Sequence, residues 1–125
     1  MTWSYPDARH ASAKFEVNAV RVEVALEQRD HSWHVSFTVD GAANDVAYSA
    51  LSIFDQVFEA VAQFLIVREP QTIVFAADRE DLAGIYETYL RKQSKRFADV
   101  GYRVDGAHRV LRRFKPSRWS ATVEA

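Results

Sequence analysis

The chain has 125 residues, 48% of them apolar and 26% charged, with no cysteine and a net charge of −1. That length suits one domain able to bury roughly two-thirds of its unfolded surface. The lack of cysteine leaves no disulfide framework and no thiolate metal site or nucleophile, which suits a reducing compartment.

The amino-terminal stretch MTWSYPDARHASAK holds no apolar run, so no secretory signal is expected. No stretch approaches eighteen consecutive apolar residues, so no membrane span is expected either. A cytoplasmic protein is the default reading. Charge is unevenly spread: residues 1–78 carry five basic and eleven acidic side chains, whereas residues 79–118 carry eleven basic and five acidic. Such asymmetry marks a surface for a charged partner, or head-to-tail association, unless it is only the solvated faces of ordinary elements.

Residues 1–14 contain Trp3, Tyr5 and Pro6 without periodicity and read as an irregular arm. A single domain over 15–115 and a short tail over 116–125 follow. From Phe15 the chain alternates, Phe15, Val17 and Ala19 in one phase, then Val20, Val22, Val24 and Leu26 in the other. That phase change predicts a bulge or bend near Asn18 and Ala19. After the polar turn at Asp30, a second strand returns through Trp33, Val35, Phe37 and Val39, giving an antiparallel hairpin with one buried face.

Asp40-Gly41 ends that strand, and Ser49 or Ser52 is the expected cap of the next helix. Leu51, Phe54, Val57, Phe58, Val61, Phe64 and Leu65 follow helical spacing, and Arg68-Glu69-Pro70 stops them. Ile73, Val74 and Phe75 read as a strand covered on both faces. Asp78 can cap one long amphipathic helix whose stripe runs through Leu82, Tyr86, Tyr89, Leu90, Gln93, Phe97 and Val100. Gly101 is the expected stop. Tyr102 and Val104 resume as strand, Asp105-Gly106 is a hairpin signal, and His108 to Phe114 pairs back, with Val110 and Phe114 on one face and Leu111 on the other. The order β-β-α-β-α-β-β predicts an α+β domain, a mixed and mainly antiparallel sheet with two helices.

That order, with the stretch Asp78 to Glu87 ending in Ile-Tyr-Glu and followed by Gly101-Tyr102, resembles the carboxy-terminal part of the GNAT family of N-acetyltransferases. It is also similar to small phage-encoded proteins with the same helix-and-strand ending. The resemblance covers about Val20 to Phe114 by order of elements. It implies acetyl-CoA as cofactor and, for Tyr86, the role of general acid toward the departing thiolate. The family holds the cofactor pyrophosphate on a glycine-rich loop, Gln/Arg-x-x-Gly-x-Gly/Ala, at a helix amino terminus. The matching stretch here runs from Asp40 to Tyr48, with one glycine and two carboxylates. Fourteen residues also separate Tyr86 from Gly101, more than the family has.

Other constellations are weaker. His31 and His34 lack a third metal ligand beyond Asp30. Ser49, Ser52 and Asp55 show no nucleophile elbow. The distinctive set is basic: Arg91, Lys92, Lys95 and Arg96 on the long helix, then Arg109, Arg112, Arg113 and Lys115, with Phe114 and Trp119 among them. Arginine interleaved with aromatics suits phosphate contact and base stacking, although no nucleic-acid-binding consensus accompanies it.

The expectation is a non-enzymatic binding or assembly module on a GNAT-like scaffold, without a cofactor and of the kind encoded by a phage or mobile element. It would meet an acidic protein surface, or a second copy of itself, through the basic helix and last strand. An acetyltransferase using acetyl-CoA and Tyr86 is one alternative; a nucleic-acid-binding protein is the other.

Overall fold

The computed structural model describes residues 1–76, 87–105 and 108–115. Strands β1 (Thr2–Asp7), β2 (His10–Val17), β3 (Val20–Arg29) and β4 (Ser32–Asp40) form an antiparallel meander. Helix α1 (Ala43–Arg68) then crosses over, and β5 (Thr72–Phe75) pairs parallel with β4. A helical segment at 87–92 (α2) and helix α3 (Ser94–Asp99) lead to the closing hairpin of β6 (Tyr102–Asp105) and β7 (Val110–Arg113). Spatially the seven strands run β1-β2-β3-β4-β5-β7-β6, so β1 and β6 are the edges. The fold is α+β with a mixed, mostly antiparallel sheet.

The order of elements differs from the expected one at the amino terminus, where four strands precede α1 instead of two. Residues 1–14 are not an irregular arm: they hold β1 and the first five residues of β2. Trp3 stacks on Phe64 and donates its indole N–H to Gln63 Oε1 at 3.0 Å, while Arg68 lies over the Tyr5 ring. Helix α1, about sixty residues away in sequence, therefore holds this strand down. A register slip between Ser4 and Asp7, around Pro6, interrupts its pairing with β2. The phase change at Asn18-Ala19 is not a bulge but a two-residue hairpin turn, closed by the pair Val17 and Val20, with Asn18 at φ 55°. Asparagine tolerates that left-handed conformation.

One face of the sheet carries the core. Val20, Val22, Val24 and Leu26 of β3, Trp33 and Val35 of β4, Ile73 and Phe75 of β5 and Leu111 of β7 are buried beneath α1. Phe58 sits at the centre, edge-on to Phe75 and to Phe97 of α3, and Phe54 stacks on Tyr89 of α2 at 4.9 Å. Leu90 and Phe97 are fully buried, so all three helices lie on this same face.

Two local expectations about helices change. Helix α1 begins at Ala43, with Ala42 as its cap. Ser49 lies inside it, 1% exposed, accepting a hydrogen bond from Asn18 Nδ2 at 2.8 Å, so that hydroxyl ties helix to hairpin. The long helix expected before Gly101 is interrupted at Gln93 (φ −97°, ψ 9°), where Ser94 Oγ donates to Arg91 O at 2.7 Å. A hydroxyl bonded to a nearby carbonyl competes with the helical ladder. The capping role of Asp78 and the stripe positions Leu82 and Tyr86 lie outside the described residues.

By length and composition alone α1 is apolar enough to cross a membrane, with a mean hydropathy of 1.6 over its most apolar window. Half of that window is buried against the sheet, as in the core helix of a two-layer domain. Glu69 then ends the helix in the left-handed conformation (φ 49°), its N–H bonded to Leu65 O. Gly101 (φ 97°) ends α3, as the sequence predicts.

Candidate binding surface

Alternation along β7 divides its side chains between two environments. Leu111 and Arg113 point to the helix side; Val110, Arg112 and Phe114 point to the opposite side, on which no described helix packs. The Arg113 side chain is 7% exposed and bonds Glu69 Oε1 at 2.9 Å, Glu69 itself being 8% exposed. Its guanidinium lies 5.3 Å from the centre of the Tyr102 ring, and the Tyr102 hydroxyl donates to Pro70 O. Burial raises the Tyr102 pKa above its ordinary value, with Arg113 opposing the shift. This buried cluster joins the end of α1 to both strands of the last hairpin. Arg113 is therefore a structural residue, unavailable to a partner.

Arg112, one residue earlier, faces outward, and its cross-strand neighbour is Arg103 of β6. Thr72 of β5 continues the same row on the other side of Arg112. Neither arginine forms an ion pair among the described residues. Arg103 lies 5.3 Å from the centre of the Phe114 ring and Lys115 Nζ 5.9 Å from it. The Lys115 stem lies across Gly101, where an added Cβ would come within 3.3 Å of it. The absence of a side chain at Gly101 thus serves both the turn and the approach of Lys115. Phe114 remains 43% exposed.

The remaining basic residues are not part of this row. Arg91 pairs with Glu87 at 2.7 Å, one helical turn earlier. Arg96 bonds Asp55 of α1 at 3.0 Å and so joins α3 to α1. Lys92 lies over the Tyr89 ring, and Lys95 is exposed. Arg109, at φ 55°, donates from Nε to Phe75 O at 3.3 Å and extends the β5–β7 junction. The expected strand set is therefore split, Arg113 lying on the helix side with the helix set and Arg112 on the opposite side. Trp119 and Tyr86 lie outside the described residues.

Sequence reasoning passed over Arg103. The signal was present, because folding the chain at Asp105-Gly106 brings the outward positions of β6 opposite those of β7. That turn is bracketed by an exposed Asp105–His108 pair at 2.9 Å, and the histidine lowers the carboxyl pKa. Asp7 and His10 make the same arrangement at the first hairpin.

The loop before α1 bears on the cofactor that the family resemblance implies. An added Cβ at Gly41 would meet Val20 Cγ2 at 3.2 Å and Val20 Cα at 3.3 Å. The glycine therefore permits close packing on β3 and not the approach of a ligand. Asp40 is held by Arg21 at 2.8 Å, and Asp45 occupies the first turn of α1. Two carboxylates and a glycine turned inward do not fit a pyrophosphate, which needs converging N–H groups at a positive helix end.

Among the described residues no group of three or more histidines and carboxylates is placed to hold a metal ion. Comparison with protein-family models, with curated proteins and with solved structures finds no match for this chain.

Proposed function

We propose that this protein is a non-enzymatic binding module that takes an anionic partner on the outward side of β6 and β7, on a scaffold resembling the GNAT fold. One observation carries the reading: Arg103 and Arg112 stand opposite each other in register, and neither makes an ion pair among the described residues. Asp105 is bonded to His108, and its carboxyl also feels the charge of Arg112. Like charges directly opposite across a sheet oppose its pairing, by an amount on the order of 0.2–1 kcal/mol. An anion laid across the pair turns that repulsion into two charge-assisted contacts. The Arg103 guanidinium lies 5.3 Å from the centre of the Phe114 ring, a cation–π contact that helps to place it. The order of elements after β3 (hairpin partner, helix, strand, helical segment, final hairpin) favours the resemblance to the acetyltransferase scaffold, while the loop at Gly41 argues against its cofactor.

Retention on heparin tests this surface. The wild-type protein is expected to bind at low salt and elute as salt rises, with Arg103→Ala/Arg112→Ala eluting early. Lys95→Ala, on the helix side, should elute with the wild type. If the double variant and the wild type elute together, the assignment of the surface is wrong. Acetyl-CoA should leave the melting temperature unchanged; a shift that saturates with its concentration would restore the acetyltransferase reading through mass action.

A further inference from the structure

Resting on the binding surface proposed above, we infer that its partner is a single-stranded nucleic acid, with a phosphate over the Thr72–Arg112–Arg103 row and a base against Phe114. Three features select this class of anion. The first is the in-register spacing of the two arginines. Cross-strand neighbours stand about 5 Å apart at Cβ, so both guanidinium groups can converge on one phosphate, whose several oxygens accept from both. A carboxylate has the same charge and the same number of free oxygens as a phosphodiester. The arginine pair therefore calls for an anion, and the next feature narrows it to a nucleotide.

The second feature is the Phe114 ring, two residues beyond Arg112 on the same side, which stays 43% exposed with Arg103 and Lys115 beside it. Base faces are available for such stacking in a single strand and are covered by their neighbours in a duplex. The third is the charge at the other end of this same face. Glu16, Glu23 and Asp40 face outward from β2, β3 and β4, interleaved with Lys14, opposite Glu23, and with Arg21, which stands between Glu16 and Asp40 and bonds the latter. Among the described residues the arginines of β6 and β7 alone stand side by side without interleaved carboxylates on their rungs. A polyanion crossing the whole sheet would meet those carboxylates. The favourable track is therefore confined to β5, β7 and β6, and the bound stretch is short.

Fluorescence anisotropy of a short labelled oligothymidylate tests the inference, with its duplex and poly-glutamate as competitors. For the wild type the single strand is expected to bind at low salt, with the duplex and poly-glutamate competing poorly. Arg103→Ala/Arg112→Ala should weaken binding at least tenfold and flatten the log–log salt slope by about one, for the single phosphate that the pair no longer neutralises. Phe114→Leu should weaken it at least about fivefold without changing that slope, the mark of missing base stacking. Arg112→Lys should keep most of the salt slope while losing affinity, which separates loss of charge from loss of fold.

If poly-glutamate competes as well as the single strand and Phe114→Leu binds like the wild type, the anion-binding surface stands and the nucleic-acid inference falls. Equal competition by the duplex also overturns it. Should neither polyanion bind, or binding ignore the arginine pair, both readings fall together.

Discussion

Arg113 and Arg112 are adjacent in the chain and opposite in their physics. One lies inside the molecule with its charge matched by Glu69, and the other lies outside facing a second arginine. The region around Arg113 joins three elements: the end of α1, the start of β6 and the end of β7. The region around Arg112 joins nothing that the fold requires. Strand alternation alone makes this division, and it separates a charge that builds the domain from one available to a partner.

The contrast is most easily broken from the inside. Arg113→Met should lower the unfolding free energy by about 3–5 kcal/mol, because it removes the guanidinium bonded to a buried carboxylate; chemical denaturation measures it. A loss below roughly 1 kcal/mol would mean that Glu69 reaches solvent on its own. Tyr102→Phe should have a smaller effect, about 1–3 kcal/mol, by leaving Pro70 O without its donor.

Tyr102 adds a pH signature. Its folded-state pKa is raised by burial, so the unfolded chain releases the phenolic proton first as pH rises. The stability contributed by the neutral phenol is complete below the ordinary tyrosine value of 10.0 and is lost as pH climbs through the folded-state value. Wild-type protein should therefore lose stability above about pH 10, with this component missing in Tyr102→Phe. Denaturation curves at neutral and alkaline pH compare the two.

The smallest expected effect has the opposite sign. Arg103→Ala/Arg112→Ala should leave stability unchanged or raise it by up to about 1 kcal/mol, through relief of like charge. The same double variant should be the one most damaged in binding. A destabilisation above that size would show that these arginines support the fold after all.

How much of this was legible in the sequence depended on distance along the chain. Local signals worked: Glu69-Pro70 ends α1, and Gly101 ends α3. Alternation from Val20 to Leu26 and from Trp33 to Val35 marks the two central strands. Placing Leu111 on the face opposite Val110 and Phe114 also put Arg113 with Leu111, since positions two apart share a face. The sequence reading nevertheless took Arg113 for a partner-binding residue, and its burial corrects that. What could not be read was its partner, because Glu69 is contributed by a helix end 44 residues earlier. Strand β1 was illegible for a related reason. Trp3 and Tyr5 alternate with Thr2 and Ser4, but Pro6 breaks the pattern, and the helix that receives them comes about sixty residues later. The turn at Asn18 was visible as a change of phase; the closed pairing of Val17 with Val20 was not.

The slip in β1 around Pro6 bears on how the molecule behaves in a crowd. A sheet whose outermost strands offer a free ladder invites neighbouring chains to add themselves, one after another. Here one border is kinked by a residue that has no N–H to donate, and the other is only four residues long with an arginine on its outward side. Neither border gives an incoming strand a long, flat template, so the open side of this protein can meet a partner without becoming the seed of a fibre.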